Sequence, residues 1–151
     1  MKKINIVVAL LLFCTMCSYG QEVFRKSGKI KLKEAKSAFD KKAFFNVKTG
    51  KQIKVEGKFR ISDFFGSKVI MATADAENTS KKDLYYAYYI AFFDKKKNLI
   101  GCASQVATMQ PLKAGEKTQF GMCIIHLPQS EIKKIASYQL VFMESDKKIG
   151  Q

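Results

Sequence analysis

The segment 84–93 constrains the fold most, because every one of its side chains is aliphatic or aromatic. It reads Leu-Tyr-Tyr-Ala-Tyr-Tyr-Ile-Ala-Phe-Phe and is dense in the aromatic residues that favour β-strands. Successive side chains of a strand point to opposite faces, so this segment needs cover on both. The sequence therefore predicts a central strand in a layered β protein.

Alternation of apolar and polar residues marks further strands. Apolar side chains occupy every second position over residues 52–61, and residues 29–33 repeat the pattern over a shorter length. Residues 46–51 are expected to form the turn before this strand. Four more segments bounded by turn residues are predicted to be strands, namely 67–76, 99–108, 116–127 and 135–144.

Two short regions differ from this strand pattern. Residues 34–45 fit either a short helix with Ala35, Ala38 and Phe39 facing inward, or a strand interrupted by a charged turn at residues 40–42. Residues 128–134 fit a single helical turn at most. The interval between strands, roughly 8 to 12 residues, favours an all-β, immunoglobulin-like β-sandwich of about seven to nine strands, with one short helix. A small barrel is the alternative.

The N-terminus has the order of a secretory signal peptide. Lys2 and Lys3 precede the apolar run 6–14, and Ser18 and Gly20 occupy the −3 and −1 positions of a cleavage site before Gln21. We therefore expect residues 1–20 to be removed. Residues 21–151 are expected to be a single β-sandwich domain, with 68–150 as the immunoglobulin-like core and 21–67 as additional N-terminal strands.

Export to the periplasm or the extracellular space follows from this interpretation. One alternative is a retained anchor, but the apolar run is shorter than the roughly 20 residues that cross a bilayer. A second is lipidation at Cys14 or Cys17, although neither follows a small residue. Once exported, the chain is not expected to be an integral membrane protein.

The two cysteines beyond the signal peptide, Cys102 and Cys123, are predicted to form a disulfide, because exported thiols tend to oxidise. A hairpin centred near Leu112 and Lys113 would place them opposite each other, within disulfide reach. Two buried free thiols, or a redox-active pair, are the alternatives.

Basic residues dominate the charge. The formal net charge is +14, and loss of the two lysines in residues 1–20 leaves +12. Such a surface attracts anionic lipids, cell-wall polymers and acidic polysaccharides, with an affinity that falls as salt rises. Nucleic acid is not expected, because only two arginines are present and no recognition motif accompanies them. The candidate anion-binding residues are Lys29, Lys31, Lys33, Lys54, Lys58 and Arg60; solvated lysines that keep the protein soluble are the alternative.

The tyrosines of the segment 84–93 are the candidate ligand platform, namely Tyr85, Tyr86, Tyr88 and Tyr89. In a strand, Tyr86 and Tyr88 share one face, and Tyr85 and Tyr89 share the other. One face must line the core. The other would bind a carbohydrate or a peptide by stacking if it is exposed, whereas a second layer from residues 23–65 would hide it.

Catalytic and metal sites find little support. The sequence holds a single histidine, His126, in a predicted strand and without a recognisable nucleophile beside it. Cys102, Cys123 and His126 lack the spacing of metal ligands, and the glycines do not cluster into a phosphate loop. We expect neither a cofactor nor a metal.

Residues 69–150 resemble the FxLyD-type, immunoglobulin-like domains of exported bacterial proteins, most of which have no assigned function. The matching features are Asn78-Thr79-Ser80, Ala91-Phe92-Phe93-Asp94, Asn98-Leu99-Ile100-Gly101, the connection 112–116, and Tyr138-Gln139-Leu140-Val141. The family favours glycine after the acidic turn residue, whereas this chain has Lys97-Asn98. The resemblance implies a fold and a bacterial envelope location.

Together these features predict an exported, non-enzymatic binding or structural protein of the bacterial envelope, with an anionic envelope polymer or a protein as its partner. One alternative is a subunit of an envelope assembly that pairs an unprotected edge strand with its partner. The other is a redox or hydrolytic enzyme, which a reactive Cys102–Cys123 pair would favour.

Overall fold

The computed structural model describes residues 21–37, 40–64, 66–106, 110–121 and 125–149. The predicted signal peptide lies outside these residues, as do Ala38 and Phe39 of the ambiguous segment. The strands are β1 (Gln21–Lys29), β2 (Phe45–Thr49), β3 (Ile53–Phe64), β4 (Ser67–Asn78), β5 (Tyr85–Phe93), β6 (Leu99–Val106), β7 (Lys117–Gly121), β8 (Ile125–His126) and β9 (Ser137–Ser145).

Helical structure is brief. A 3-10 turn covers Lys41–Ala43, and α1 covers Gln129–Ile132. Asp40 caps the 3-10 turn by accepting a hydrogen bond from the Lys42 backbone N–H. Within the described part of the chain, no helix is long and apolar enough to cross a membrane.

The strands form two antiparallel sheets that pack face to face. The first sheet has the order β1-β9-β5-β6, and the second has the order β2-β3-β4-β7, with β8 also paired to β4. The predicted all-β sandwich with one short helix is therefore confirmed. The central position predicted for the segment 84–93 is also correct, because β5 lies between β9 and β6.

The alternating pattern of β3 explains its place in the second sheet. Ile53, Val55 and Phe59 are buried against the first sheet, whereas Lys54 points outward and is exposed. Gly57 occupies an inward position because the Tyr88 side chain reaches across the core to it, and a Cβ there would come within 2.1 Å of the Tyr88 hydroxyl oxygen. The core is thus closed by contact between opposite sheets.

Aromatic side chains fill much of this core. The Phe59 and Phe92 rings pack edge to face with centroids 5.8 Å apart, which joins β3 to β5. The Tyr86 and Phe120 rings stack at 5.2 Å and join β5 to β7. One face of the segment 84–93, which is apolar on both faces, therefore packs in the core.

Two buried polar side chains organise the loops at one end of the sandwich. The Glu144 carboxylate accepts the backbone N–H groups of Gln52 and Ile53 at 3.0 and 2.8 Å, and so ties β9 to the β2–β3 turn. The Asn78 amide nitrogen donates to the carbonyl oxygens of Lys82 and Leu112, both at 2.8 Å. Buried polar groups are stable when they are hydrogen-bonded in this way.

Two predicted details are wrong. Residues 46–49 of the predicted turn 46–51 are strand, because β2 runs through Thr49 and pairs with β3. Residues 30–33 are not a strand and instead connect β1 to a bridge between Glu34 and Ile61. The predicted strand 116–127 contains β7 and β8, both paired with β4, and residues 122–124 between them lie outside the described residues.

Candidate binding surface

The tyrosine cluster is divided between the two faces of β5. Tyr86 and Tyr88 belong to the core and are covered by the second sheet. Tyr85 and Tyr89 point to the opposite side, where both are half-buried. Within residues 23–65, which were expected to supply a second layer, β2 and β3 belong to the second sheet. They therefore help to cover the inner tyrosines and not Tyr85 and Tyr89.

Strand register defines what surrounds the outer tyrosines. Tyr89 lies in a cross-strand row with Val141 of β9 and Ser104 of β6, and Arg25 of β1 pairs with Val141 on its other side. The next row joins Val23, Met143, Ala87 and Val106, and the row of Tyr85 contains Ser145 and Gln21. Side chains in one row are close enough to share a ligand.

We call this surface the tyrosine face. It comprises uncharged outward residues of β5 and β9 and of the neighbouring strands β1 and β6, namely Val23, Tyr85, Ala87, Tyr89, Ala91, Ser104, Val106, Gln139, Val141 and Met143. Charged residues begin at its β1 border, with Arg25 and Lys29, both exposed.

The chemistry of the tyrosine face suits stacking with hydrogen bonding at its border. Partial burial raises the pKa of the Tyr89 hydroxyl, so the side chain stays neutral and its ring remains electron-rich at ordinary pH. The small side chain of Ala87 lies between the two tyrosines along β5 and is itself buried. A flat ring of a ligand could lie across such a surface.

The basic border extends at one end of the tyrosine face. Lys29 and Lys97 line a small concavity of about 240 Å³ together with Ser27, Ser137 and Gln139. The Lys97 ammonium nitrogen lies 3.4 Å from the Ser137 hydroxyl oxygen. The border therefore offers cations and hydroxyl groups beside uncharged, partly aromatic residues.

The six basic residues singled out in the sequence do not form one surface. Lys58 forms an ion pair with Asp75 on the outer face of the second sheet. Arg60 was expected to be exposed but is 5% exposed, because Phe44 covers it with its ring centroid 4.5 Å from the guanidinium carbon. Its Nη1 also donates to the Asp40 carbonyl oxygen at 3.3 Å.

The lysines that follow β1 lie away from Lys54. Lys31 and Lys33 are exposed, and the Lys33 carbonyl oxygen accepts the Ile61 N–H at 2.9 Å, so it lies beside the far end of β3. The distance along β3 from Ile61 to Lys54 is about 23 Å at the usual rise per residue. Of the six, Lys29 is the residue that borders the tyrosine face.

A groove of about 1050 Å³ is lined by the outer face of the second sheet and by β1, including Val23 and Arg25. Some of its charges form cross-strand pairs, with Lys117 Nζ 3.2 Å from Glu77 and Lys48 Nζ 4.0 Å from Glu56. Exposed ion pairs of this kind satisfy their own partners and keep a sheet surface soluble. The groove therefore makes a poorer anion site than its lysine content indicates.

β6 and β7 do not form the hairpin that was predicted to bring the cysteines together. Cys102 is in β6, which pairs with β5 of the first sheet, whereas β7 pairs with β4 of the second. The Cys102 thiol is exposed on the outer side of β6, and Cys123 lies outside the described residues. The disulfide itself stays a prediction.

The candidate metal ligands and the histidine of the sequence are not brought into one site by the described residues. The described residues contain no group of three His, Cys, Asp or Glu side chains that could hold a metal ion. The His126 backbone pairs with Val69 of β4. The tyrosine face is therefore the surface with the clearest chemistry for a ligand.

Sequence reasoning missed the partners of the outer tyrosines. Val141 and Met143 alternate with the core residues Leu140 and Phe142, so β9, like β5, is apolar on both faces. The sequence signal for this surface was the apolar character of both faces in each of β5 and β9. When two such strands are adjacent, their outward apolar side chains lie on one surface. The contribution of Arg25 required the pairing of β1, which the sequence did not predict.

No family model matches the chain, and no curated protein matches it either. Among solved structures, the chain is similar to the structure of infectious bursal disease virus Gx strain, with 19% identity and a TM-score of 0.40. The match covers 89% of this chain and 28% of the viral chain, so this chain spans less than a third of that length. A likeness at this TM-score carries no argument about fold or function. The resemblance to FxLyD-type domains stays a prediction.

Proposed function

We propose that this protein is an exported, non-enzymatic binding protein of the bacterial envelope that holds an acidic polysaccharide across the tyrosine face. The observation that carries the proposal is the row in which Tyr89 and Val141 lie beside Arg25. The stacking surface on β5 and β9 therefore lies beside the positive charge on β1.

The uncharged part of the tyrosine face is suited to sugar rings. The C–H face of a pyranose packs on an aromatic ring, and its hydroxyl groups form hydrogen bonds with neighbouring amide and hydroxyl side chains. Gln139 and Ser104 are exposed and supply such groups on either side of β5. Tyr85 and Tyr89 are four residues apart on one strand, which spans about 13 Å and suits an extended chain of sugars.

Acidic groups on the sugar explain the border. Arg25 and Lys29 lie on β1, at the edge of the uncharged surface, and Lys97 approaches the same end. Carboxylate or sulfate groups of a polysaccharide that crosses the tyrosine face would meet these cations. The +12 charge left after signal cleavage adds a long-range attraction that salt screens.

Binding is tested by calorimetric titration with polygalacturonate as the acidic probe and dextran as the neutral one. We expect saturable binding of polygalacturonate, weaker binding as sodium chloride rises, and much weaker binding of dextran. Equal binding of both polymers, or none of either, would contradict the proposal.

A pair of substitutions locates the site. Tyr89→Thr keeps a strand-favouring residue but removes the ring, so we expect it to weaken polygalacturonate binding about tenfold, whereas Tyr89→Phe keeps the ring and the affinity. The control is Lys54→Ala, which removes one exposed charge on the outer face of the opposite sheet. If Lys54→Ala weakens binding as much as Tyr89→Thr does, general charge attraction explains the binding.

Export is tested by the intact mass of the protein purified from its native envelope, before and after reduction and thiol labelling. A chain that begins at Gln21 supports signal cleavage, and two thiols that appear only on reduction support the Cys102–Cys123 disulfide. A full-length chain with freely labelled thiols overturns both expectations.

A further inference from the structure

One edge strand of the sandwich, β6, carries no charged residue. Residues 98–112 contain no Asp, Glu, Lys or Arg, and this is the longest such run after residue 20 in a sequence that is 26% charged. β6 occupies the first part of this run. β8, which also has no charged residue, contacts β6.

β6 differs from the other edge strands of the two sheets. β1 carries Arg25 and Lys26, β2 carries Lys48, and β7 begins at Lys117. Charged residues, lysine above all, protect sheet edges from pairing with other chains. β6 lacks this protection over eight residues and contains no proline.

The backbone of β6 is paired on one side. It hydrogen-bonds to β5 from Val106 to Leu99, and no other strand of the described residues pairs with it. Bonding groups alternate along an antiparallel strand, so about half of the N–H and C=O groups of β6 point away from β5. Leu99 at its start is 41% exposed and is one of two large hydrophobic side chains of the described residues that are exposed.

We infer that β6 pairs with β6 of a second copy of this chain, antiparallel and around a twofold axis, to make one continuous eight-stranded sheet. The distribution of charge favours this occupant. Pairing of β1, β2 or β7 with its own copy would bring basic residues together, whereas pairing of β6 with itself brings no charged residues together. A contact around a twofold axis uses the same patch on both copies, so the assembly stops at a dimer.

The inferred pairing restricts which residues of the two β6 strands can lie opposite each other. A continuous sheet with both tyrosine faces on one side requires residues of equal parity to lie opposite each other. The register centred on Cys102 meets this condition and pairs Gly101 with Ala103 of the second copy, on the regular part of β6 that follows the bulge beside Phe92 and Phe93. The two tyrosine faces then form one surface on the dimer. The inference stands without the polysaccharide proposal, because it concerns a different edge and a different partner.

The experiment is sedimentation equilibrium of the purified protein, with its N-terminus defined by intact mass. We expect a reversible monomer–dimer equilibrium that strengthens as sodium chloride screens the repulsion between copies. A monomer at every concentration up to the solubility limit overturns the inference. If the protein is a monomer and β6 is protected only when a different, copurifying protein is bound, then the partner of β6 is not a second copy of this chain.

Two serine substitutions provide matched variants. Ser104→Lys and Ser27→Lys each add one lysine at an exposed serine on an edge strand of the first sheet, the former on β6 and the latter on β1. We expect Ser104→Lys to raise the dimer dissociation constant about tenfold or more, and Ser27→Lys to leave it near the wild-type value. Equal effects of the two substitutions contradict the assignment to β6.

Amide hydrogen exchange tests the same contact without a substitution. Backbone N–H groups on the open edge of β6 exchange slowly when they are paired in the dimer and fast in the monomer. We expect protection of residues 99–106 to rise with protein concentration while that of Gln21–Lys29 stays constant. Concentration-dependent protection of β1 instead of β6 overturns the inference.

Discussion

A single carboxylate fixes the contact between the two sheets at one end of the sandwich. Glu144 is 1% exposed, and besides Gln52 and Ile53 its oxygens reach the Lys51 backbone N–H at 3.5 Å. Carboxylates that accept several backbone N–H bonds form strong, charge-assisted interactions. The position was not identifiable from sequence, because the pattern of β9 shows only that a polar residue falls on an inward position.

Substitution of this carboxylate is expected to be costly. Glu144→Gln keeps the size of the side chain but places an amide NH₂ against backbone N–H donors, so we expect the free energy of unfolding to fall by about 2 kcal/mol. Glu22→Gln serves as the control, since Glu22 makes an exposed ion pair with Lys51 and should change stability by less than about 0.5 kcal/mol. Urea denaturation compares the two variants; equal effects would show that the backbone contacts of Glu144 contribute little.

Lys97 adopts a backbone conformation that favours glycine. Its φ is +66°, in the left-handed region that residues with a Cβ rarely adopt. Asp94 holds this turn by accepting the backbone N–H groups of Lys96 and Asn98, each at 2.8 Å. The strain is thus imposed by a well-bonded turn.

Relief of this strain is measurable by thermal unfolding. Lys97→Gly should raise stability by about 0.5 to 1 kcal/mol, because the left-handed conformation costs a residue with a Cβ more than glycine loses in entropy. Lys95→Gly in the same turn, where no positive φ occurs, should lower stability by a similar amount. A loss of stability in both variants would mean that the turn is not strained at Lys97.

Strand pairing creates the clearest pH-dependent interaction. Register places β3 beside β4, and Lys58 bonds to the Asp75 carboxylate on their outer surface. This hydrogen bond lowers the pKa of Asp75 below its ordinary value of 3.8, with a further contribution from Gln119. The associated stability is therefore present above the pKa of the unfolded state and is lost as pH falls through the lower, folded-state pKa.

Titration of the Asp75 carboxyl carbon by NMR checks this interaction. Lys58→Met removes the ammonium group and should raise the pKa of Asp75 toward its ordinary value. Lys54→Met, on the same face of β3, should leave the pKa lowered, because Lys54 does not bond to Asp75. If both substitutions raise the pKa equally, the net charge of the surface is the cause.

At the level of elements, the sequence identified the strands that alternate or that are apolar on both faces. β3 and β5 are the clearest cases, since their side-chain patterns follow directly from the face that each residue occupies. β1 was missed because its half-exposed edge position imposes no strict alternation. β2 was interpreted as a turn because its Asn46 and the following Gly50 resemble turn residues, although Gly50 alone has a positive φ.

The candidate site was predictable in part for a similar reason. Alternation along a strand is enough to assign Tyr85 and Tyr89 to one face. It could not decide which face packs on the core, because both faces of that segment are apolar. The position of Arg25 depends on the pairing of β1 with β9, which joins the two ends of the domain and has no local signal.

The whole molecule has differently charged surfaces around one core. Ion pairs lie on the outer face of the second sheet, the tyrosine face is uncharged with a basic border, and β6 carries no charged residue. This division explains how a strongly basic protein can present a surface for stacking. The proposed polysaccharide site is centred on β5, β9 and β1, whereas the proposed contact between copies uses the open edge of β6.

The most direct measurement of polysaccharide binding at the tyrosine face is a map of backbone amide shifts on addition of a short oligogalacturonate. We expect the changes to concentrate on β5, β9 and β1 around Tyr89 and Arg25, and to disappear in Tyr89→Thr. Changes spread over lysines of both sheets, or concentrated on β3, β4 and β7 of the second sheet, would contradict binding at this face.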